Sequence, residues 1–305
     1  MEKVLVIGGT GLVGKTLCSK LEQKGYEVSI LSRSKNLVNS SSICYWNPNN
    51  NEIDIESLKS VDYIINLAGA NISSQRWTKK RKKLIIDSRI NPGLLILKTL
   101  KDKKIKIKAY ISASAIGFYG AETSDKIFIE NDLPADDFLG KVCQEWENTT
   151  SRFHELGIRT VKVRTGIVLT KHGGALMKLI KPIKFNLGSS IGTGKQYMPW
   201  IHIDDLCEIY IRTIQDDRIN DGLNAVAPEH ITNRGFTHTL ASVLHKKIML
   251  PNIPVVFMKL ILGELSKIIL NGSRVSPHKL KELGYNFNFP TLKEALKDIL
   301  LEKTH

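Results

Sequence analysis

VLVIGGTGLVGKT, residues 4–16, decides the fold of this chain, and it fits two phosphate-binding patterns at once. Gly8, Gly11 and Gly14 give GxxGxxG, whose glycines permit a tight turn, close approach of backbone to a pyrophosphate, and close helix–strand packing. Gly9, Gly14, Lys15 and Thr16 give GxxxxGK[ST], the loop that cradles ATP or GTP. In both, the anion sits on free N–H groups at a helix N-terminus. The rest of the chain separates them. A triphosphate loop needs a strand ending in an acid to hold the Mg²⁺ shell, and YIINLAGAN (63–71) ends without one. A dinucleotide fold needs a diagnostic residue closing the second strand, about 20 residues after the glycines. ILSRS (30–34) places Ser32 and Arg33 there. An acid would repel a 2′-phosphate, whereas an arginine pairs with it. The pattern therefore predicts NADP(H) ahead of NAD, and either ahead of ATP; the competing account of Arg33 is a solvated surface residue.

Outward from the loop, short apolar runs alternate with helical patterns over the first 170 residues, the mark of βαβ units and a parallel sheet. Strands are predicted at 3–9, 27–33, 62–69, 108–114 and 159–169, and helices at about 12–24, 76–101 and 138–156. The NSSS tract (39–42) reads as a loop. WIHIDDLCEIYIRTI (200–214) resumes a strand-to-helix pattern, and GLNAVAP (222–228) reads as a short strand. Thr291 and Glu294 stand at capping-box spacing before LKEALKDIL. The expected fold class is α/β: a Rossmann-type doubly wound parallel sheet with a smaller, mostly helical C-terminal cap region. The core is placed at 1–170 plus 199–228, and the substrate cap at 171–198 plus 229–305.

Composition narrows the class further. Hydrophobic residues at 42% and charged residues at 24% are ordinary globular values. The start of the chain runs into a strand without a signal-peptide pattern. No apolar run reaches the roughly 18 residues that span a bilayer; the longest, Pro254 to Leu270, is interrupted by Lys259, Glu264 and Lys267. Four cysteines lie far apart without CxxC or Cys/His ligand spacing, so neither a metal site nor a disulfide framework is predicted. Together these features predict a cytoplasmic protein. The net charge of +14 concentrates in RWTKKRKK (76–83) and KDKKIKIK (101–108). Without an accompanying nucleic-acid motif it reads as a solvated lysine-rich face. The expected partner is a small-molecule substrate, with no nucleic acid and no membrane.

Taken in order, GGTGLVG, NLAGA, SASAIGFYG and WIHIDDL resemble the extended short-chain dehydrogenase/reductases. More narrowly, NLAGANI, RWTKKRKKLIIDSRI, GTGKQYMPWIHIDD, NAVAPE and LNGSRVSPHKLKELGYNF resemble the atypical SDR39U1-type epimerase family over essentially the whole chain. The resemblance implies NADP(H) contacts from Gly8, Thr10, Gly11, Leu12, Val13 and Gly14 in the loop, and from Ser32 and Arg33. It implies further contacts from Leu67, Ala68 and Gly69, from Arg89, and near Val168. Arg89 takes the place of an asparagine found in many relatives; its plain alternative is a helix-surface arginine.

In the parent family a tyrosine transfers the proton while nicotinamide transfers the hydride, and a lysine one helical turn on lowers the tyrosine pKa. Here none of the eight tyrosines has a lysine four residues later. Aligning DFLGKVCQEWE (137–147) by its final Trp-Glu puts Leu139 and Cys143 at those two places. A two-residue slip pairs Asp137 with Lys141, but an ionised Asp beside Lys is a poor acid. The remaining candidates for catalysis are Ser114 at the end of SASAIGFYG, Tyr119 just beyond it, and Cys143. His202, Asp204 and Asp205 read as structural links between core and cap. The residues thus imply an NADP(H)-binding oxidoreductase or nucleotide-sugar-type epimerase on a small substrate, without the usual acid–base pair. The alternative is a non-catalytic NADPH-sensing or partner-binding protein.

Overall fold

In the computed structural model, which describes residues 1–34 and 42–301, the run KVLVI forms β1 (Lys3–Ile7) and turns through the glycine loop into α1 (Leu12–Gln23). There follow β2 (Glu27–Ser32), β3 (Ile43–Asn47), β4 (Glu52–Ile53), α2 (Glu56–Lys59), β5 (Tyr63–Asn66), α3 (Lys79–Lys103), β6 (Ala109–Ala115), β7 (Ile127–Phe128) and α4 (Phe138–Ser151). Next come β8 (Arg159–Thr165), β9 (Ile167–Leu169), α5 (Gly174–Lys184), β10 (Trp200–His202), α6 (Ile203–Gln215), β11 (Asp221–Ala225) and α7 (Asn233–Val243). The chain closes with α8 (Val255–Leu262), α9 (Ser266–Leu270), β12 (Arg274–Val275), α10 (His278–Glu282) and α11 (Leu292–Leu300). Residues 39–41 of the NSSS tract and 302–305 of the expected cap lie outside the described residues.

The central sheet has the order β11-β8-β6-β5-β1-β2-β3-β4. Its neighbours are parallel except for the β3–β4 pair. Because successive side chains on a strand face opposite ways, β1 serves two cores. Val4 and Val6 pack with Leu17 and Leu21 of α1 and with Leu206 and Tyr210 of α6. Leu5 and Ile7 pack on the other side with Leu95, Ile96 and Leu100 of α3. A sheet covered on both faces explains the nearly continuous apolar runs that made these strands readable. The sheet winds outward in both directions from β1 and β5, so a crevice opens beyond their C-terminal ends, where ligands bind in doubly wound folds. This is the Rossmann-type architecture expected from the sequence.

A third core joins Leu176, Ile180 and Ile183 of α5, Phe236 and Leu240 of α7, and Leu292 and Leu296 of α11 around Leu169 and Trp200. Thr291 caps the last helix as expected, its Oγ1 accepting from Glu294 N–H (3.4 Å), but the Glu294 carboxylate takes the Thr291 hydroxyl (2.7 Å) and not the backbone N–H of a full capping box.

The structure corrects the single strand expected at 159–169. The chain leaves the sheet at Gly166, where a Cβ would lie 2.8 Å from the carbonyl oxygen of Pro199. Beyond it β9 pairs with β10 instead of continuing the main sheet. The helix expected over 138–156 ends its α-helical part at Ser151 and tightens to a 3₁₀ turn, stopped by Gly157 at φ +71°. Strands β3 and β4 were absent from the sequence reading.

Candidate functional site

The glycine loop, the NLAGA turn and the start of α1 meet at the crevice. Gly8 has φ +81°, and a Cβ there would lie 3.2 Å from the Leu67 carbonyl carbon. Gly14 is packed harder still: its Cβ would fall 2.2 Å from Gly8 O. Gly11 is the N-cap of α1 and contributes no side-chain cap, and no acid occupies the first turn. The first intrahelical bond runs from Lys15 N–H to Gly11 O (3.0 Å), so the amides of Leu12, Val13 and Gly14 precede it and have no helical acceptor. Thr10, Gly11 and Leu12 are exposed and Val13 half-buried around this opening.

Asn66, which the sequence reading passed over, shapes the facing turn. Its Nδ2 donates to Tyr110 OH (2.8 Å) and its Oδ1 accepts from Ala68 N–H (3.0 Å), both from a fully buried position. Leu67, Ala68 and Gly69 are thereby held against the loop. Arg89 lies behind them and is no free surface arginine. It donates to Ala70 O (3.1 Å) and Ile85 O (2.9 Å), and its guanidinium sits 5.2 Å from the Trp146 ring centroid. A Cβ on Gly69 would lie 3.4 Å from Arg89 Cζ. Burial pushes the Arg89 pKa down from its usual value.

At the end of β2, Ser32 is buried and its Oγ accepts from Ser34 N–H (3.2 Å), while Arg33 is exposed and has no partner among the described residues. Val168, half-buried in β9, faces the start of α5: a Cβ on Gly174 would lie 3.7 Å from Val168 O and 3.4 Å from Leu12 Cδ2. The loop opening α5 therefore abuts the first residue of α1.

The catalytic candidates are placed differently. α4 starts at Phe138 with Asp137 as N-cap, its Oδ1 accepting from Gly140 N–H (2.8 Å) and its Oδ2 from Ala121 N–H (3.3 Å). Asp137 is thus spent on the helix end, and Lys141 points to solvent, which removes the Asp137–Lys141 register. Asp137→Ala should cost about 0.5–2 kcal/mol of stability by losing the cap, measurable as a lower midpoint in urea unfolding. Leu139 and Cys143 both face the turn after β6: a Cβ on Gly117 would lie 3.3 Å from Leu139 Cβ and 3.6 Å from Cys143 Sγ. Positions 139 and 143 thus share one face of α4, toward that turn. Burial pushes the Cys143 thiol up to about 12, so it stays protonated.

Ser114 and Tyr119 belong to one buried network that the sequence did not reveal. Ser114 Oγ donates to Glu147 Oε1 (2.7 Å). Glu147 is clamped by Arg164 through Nε to Oε1 (2.9 Å) and Nη2 to Oε2 (2.8 Å). Arg164 Nη1 donates to Tyr119 OH (2.8 Å), and Tyr119 donates to Asn224 Oδ1 (2.7 Å). Asn224 Nδ2 ends the chain on Ser276 O (2.9 Å). The Arg164 guanidinium also lies 3.6 Å from the Phe118 ring centroid. Burial opposes its charge, but the bonds to Glu147 outweigh that and keep it protonated. Burial likewise pushes Tyr119 up to about 12.

His202 and Asp205 fasten the start of α6. His202 Nδ1 accepts from Asp204 N–H (3.1 Å), and the fully buried Asp205 accepts from the amides of Asn288 (2.8 Å) and Phe289 (3.0 Å). They tie α6 to the C-terminal segment. With Nδ1 accepting, the neutral ring carries its proton on Nε2, which faces Asp298.

Comparisons with known proteins agree with this geometry. The NAD dependent epimerase/dehydratase family matches residues 4–225, and a domain of unknown function (DUF1731) matches residues 253–299. An epimerase family protein of Staphylococcus aureus (strain NCTC 8325 / PS 47) is 33% identical over 306 residues, spanning 99% of this chain and 100% of that protein. The crystal structure of human epimerase family protein SDR39U1 (isoform 2) with NADPH is similar at a TM-score of 0.87 and 30% identity, over 97% of this chain and 98% of that one. A nucleoside-diphosphate sugar epimerase from Corynebacterium glutamicum gives a TM-score of 0.81 at 29% identity, over 98% of this chain and 58% of that one.

Proposed function

The chain belongs to the NAD dependent epimerase/dehydratase family, and from that premise we propose that it binds NADP(H) and acts as an oxidoreductase or epimerase on a small substrate. Residues 171–198 and 229–305 are assigned as the cap that holds that substrate. The observation that carries the cofactor reading is the uncapped start of α1, with three amides lacking a helical acceptor in a loop whose close backbone packing leaves no room for a Cβ at Gly8 or Gly14. An anion is stabilised there by N–H groups and the helix dipole together. Gly8, Thr10, Gly11, Leu12, Val13 and Gly14 would seat the pyrophosphate. Ser32 and Arg33 would take the adenosine ribose and its 2′-phosphate, and Leu67, Ala68, Gly69 and Val168 would line the remaining length. Arg89 would add positive potential from behind the NLAGA turn. The choice of NADP(H) is supported by the exposed Arg33, by the lack of an acid at the end of β2, and by the NADPH in the human relative's crystal structure.

When bound, the nicotinamide supplies or accepts a hydride. The chain's own task is the proton on the substrate oxygen. Ser114 commits its hydroxyl proton to Glu147, so toward a substrate it offers lone pairs and accepts. Tyr119 already both accepts and donates inside the network, and Cys143 holds its proton tightly. Ser114, with solvent or substrate groups completing the transfer, is the assigned proton contact. Lacking a positioned tyrosine costs about 10²–10⁴ in rate. A second reading, a non-catalytic NADPH-sensing or partner-binding protein, is favoured by the lack of any tyrosine with a lysine four residues later in the chain.

Titration of the purified protein with NADPH, NADH and ATP tests the cofactor assignment; binding of ATP alone would overturn it. Arg33→Ala should weaken NADPH by about 10- to 100-fold, as expected for one charge-assisted contact, and leave NADH unchanged. Equal loss of both would refute the role of Arg33. Stereospecific hydride loss from labelled NADPH across a carbonyl library separates enzyme from sensor, with persistent silence favouring the sensor.

A further inference from the structure

The most apolar helix of the cap is on the outside. α8, VVFMKLIL, contains no buried residue. Val256 (72% exposed), Phe257 (57%), Leu260 (72%) and Ile261 (63%) stand in solvent, and Met249 and Leu250 just before it are exposed too. An exposed patch of this kind, rimmed by polar groups, marks an interaction surface.

Its neighbour is the reverse of what a helix start should be. α3 opens with Lys79, Lys80, Arg81, Lys82 and Lys83 and has no acid in its first turn. Five cations at the positive end of a 25-residue helix dipole are unfavourable together. Internal partners relieve only part of this. Lys82 pairs with Glu264, Lys83 with Asp87, and Arg81 bonds to Asn71 O and Ser74 Oγ. Lys79 and Lys80 are exposed and have no partner among the described residues.

The two features meet at one junction. Arg76, just before α3, donates to the carbonyls of Ile261 (2.8 Å) and Leu260 at the end of α8, and the Lys82–Glu264 pair closes the same junction. Lys259 and Lys267, both exposed, add charge from the cap side. An apolar helix set among unneutralised lysines is complementary to one kind of partner: apolar chains beneath anionic headgroups. Nucleic acid would satisfy the lysines and leave Phe257 and Leu260 wet. A second copy would cover the apolar residues while bringing a like cationic cluster toward this one.

We propose that α8 and the cationic start of α3 dock this protein onto the surface of an anionic lipid bilayer. The contact is peripheral, since no described helix is long and apolar enough to cross a membrane. It replaces the expectation of no membrane partner, which rested on the lack of a spanning run. Flotation of the full chain with vesicles of equal parts phosphatidylglycerol and phosphatidylcholine should recover it, and vesicles of phosphatidylcholine alone should not. Lys79→Ala with Lys80→Ala should weaken binding about 30-fold, each lysine near an anionic surface being worth about a fivefold factor. Phe257→Ser with Leu260→Ser should weaken it more than tenfold, with the melting curve unchanged because both side chains are exposed. No flotation on anionic vesicles would overturn the proposal, as would full retention of the Phe257/Leu260 variant. Sedimentation showing a dimer abolished by that variant, without vesicle binding, would assign the face to a second copy instead.

Discussion

Glu147→Ala should destabilise the fold by about 3–5 kcal/mol, the usual cost of stripping one partner from a buried ion pair. Glu147 and Arg164 are 6% and 5% exposed, and the carboxylate takes both arms of the guanidinium fork plus the Ser114 hydroxyl. Its removal leaves a buried cation with no carboxylate in its fork, hydrogen-bonded to Tyr119 OH and Glu130 O and stacked on Phe118, and it takes away the Ser114 acceptor. The charge is what costs, so removing both ends should cost less. Glu147→Leu with Arg164→Met replaces the pair by apolar groups of similar volume and should recover much of the loss, as buried pairs often permit. Urea unfolding of wild type, both singles and the double gives the coupling directly. A single-variant cost below about 1 kcal/mol would mean that Arg164 finds water, and the network would no longer qualify as a sealed one. The same variant bears on chemistry: Ser114 relieved of Glu147 can turn its proton outward, so a change in NADPH oxidation with stability restored would place Ser114 in contact with substrate.

What could be read from the sequence followed from period and punctuation. β1, β2, β5, β6 and β8 were visible because both faces of the sheet are covered and the runs VLVI, YIIN and AYISAS carry few charges. The break at Gly166 was not, because the reason for it is the Pro199 carbonyl 33 residues later. β3, with its partly buried residues and tract of polar neighbours, gave no comparable run. In the site, the glycine loop was legible because backbone sterics alone dictate its residues. The Ser114–Glu147–Arg164–Tyr119–Asn224 chain was not, since it joins β6, α4, β8, the turn after β6, and β11. Trp146 and Glu147 served only to set the helix register, although Glu147 anchors the buried pair. An arginine in a strand, KVRTG, and a helix carrying Trp146-Glu147 were the available signal. Hydropathy alone does not show that VVFMKLIL, an apolar run, forms an exposed helix.

Gly14→Ala should have the largest effect on cofactor binding, because the atom it adds has nowhere to go. The Cβ would lie 2.2 Å from Gly8 O, 2.6 Å from Gly9 Cα and 2.8 Å from Gly9 C. All three are backbone atoms, so no rotamer change relieves the clash. Either α1 backs away from β1, loosening Leu17 and Leu21 in the core, or the loop moves and its amides leave the anion seat. Overpacking of this kind costs about 1–3 kcal/mol in stability, and the displaced loop should weaken NADPH by more than 100-fold, since several charge-assisted contacts are lost together. Gly11→Ala is the control. Its φ of −78° suits any residue, and its Cβ would approach Gly8 O only to 3.2 Å, so a shift of a few tenths of an ångström suffices and binding should fall much less. Melting curves and NADPH fluorescence titrations of the two variants separate packing from binding. Wild-type NADPH affinity in a folded Gly14→Ala protein would move the pyrophosphate away from the glycine loop; a large gap between the two variants would place it there, with Gly14, the last glycine of GGTGLVG, set by helix–strand contact and not by the ligand.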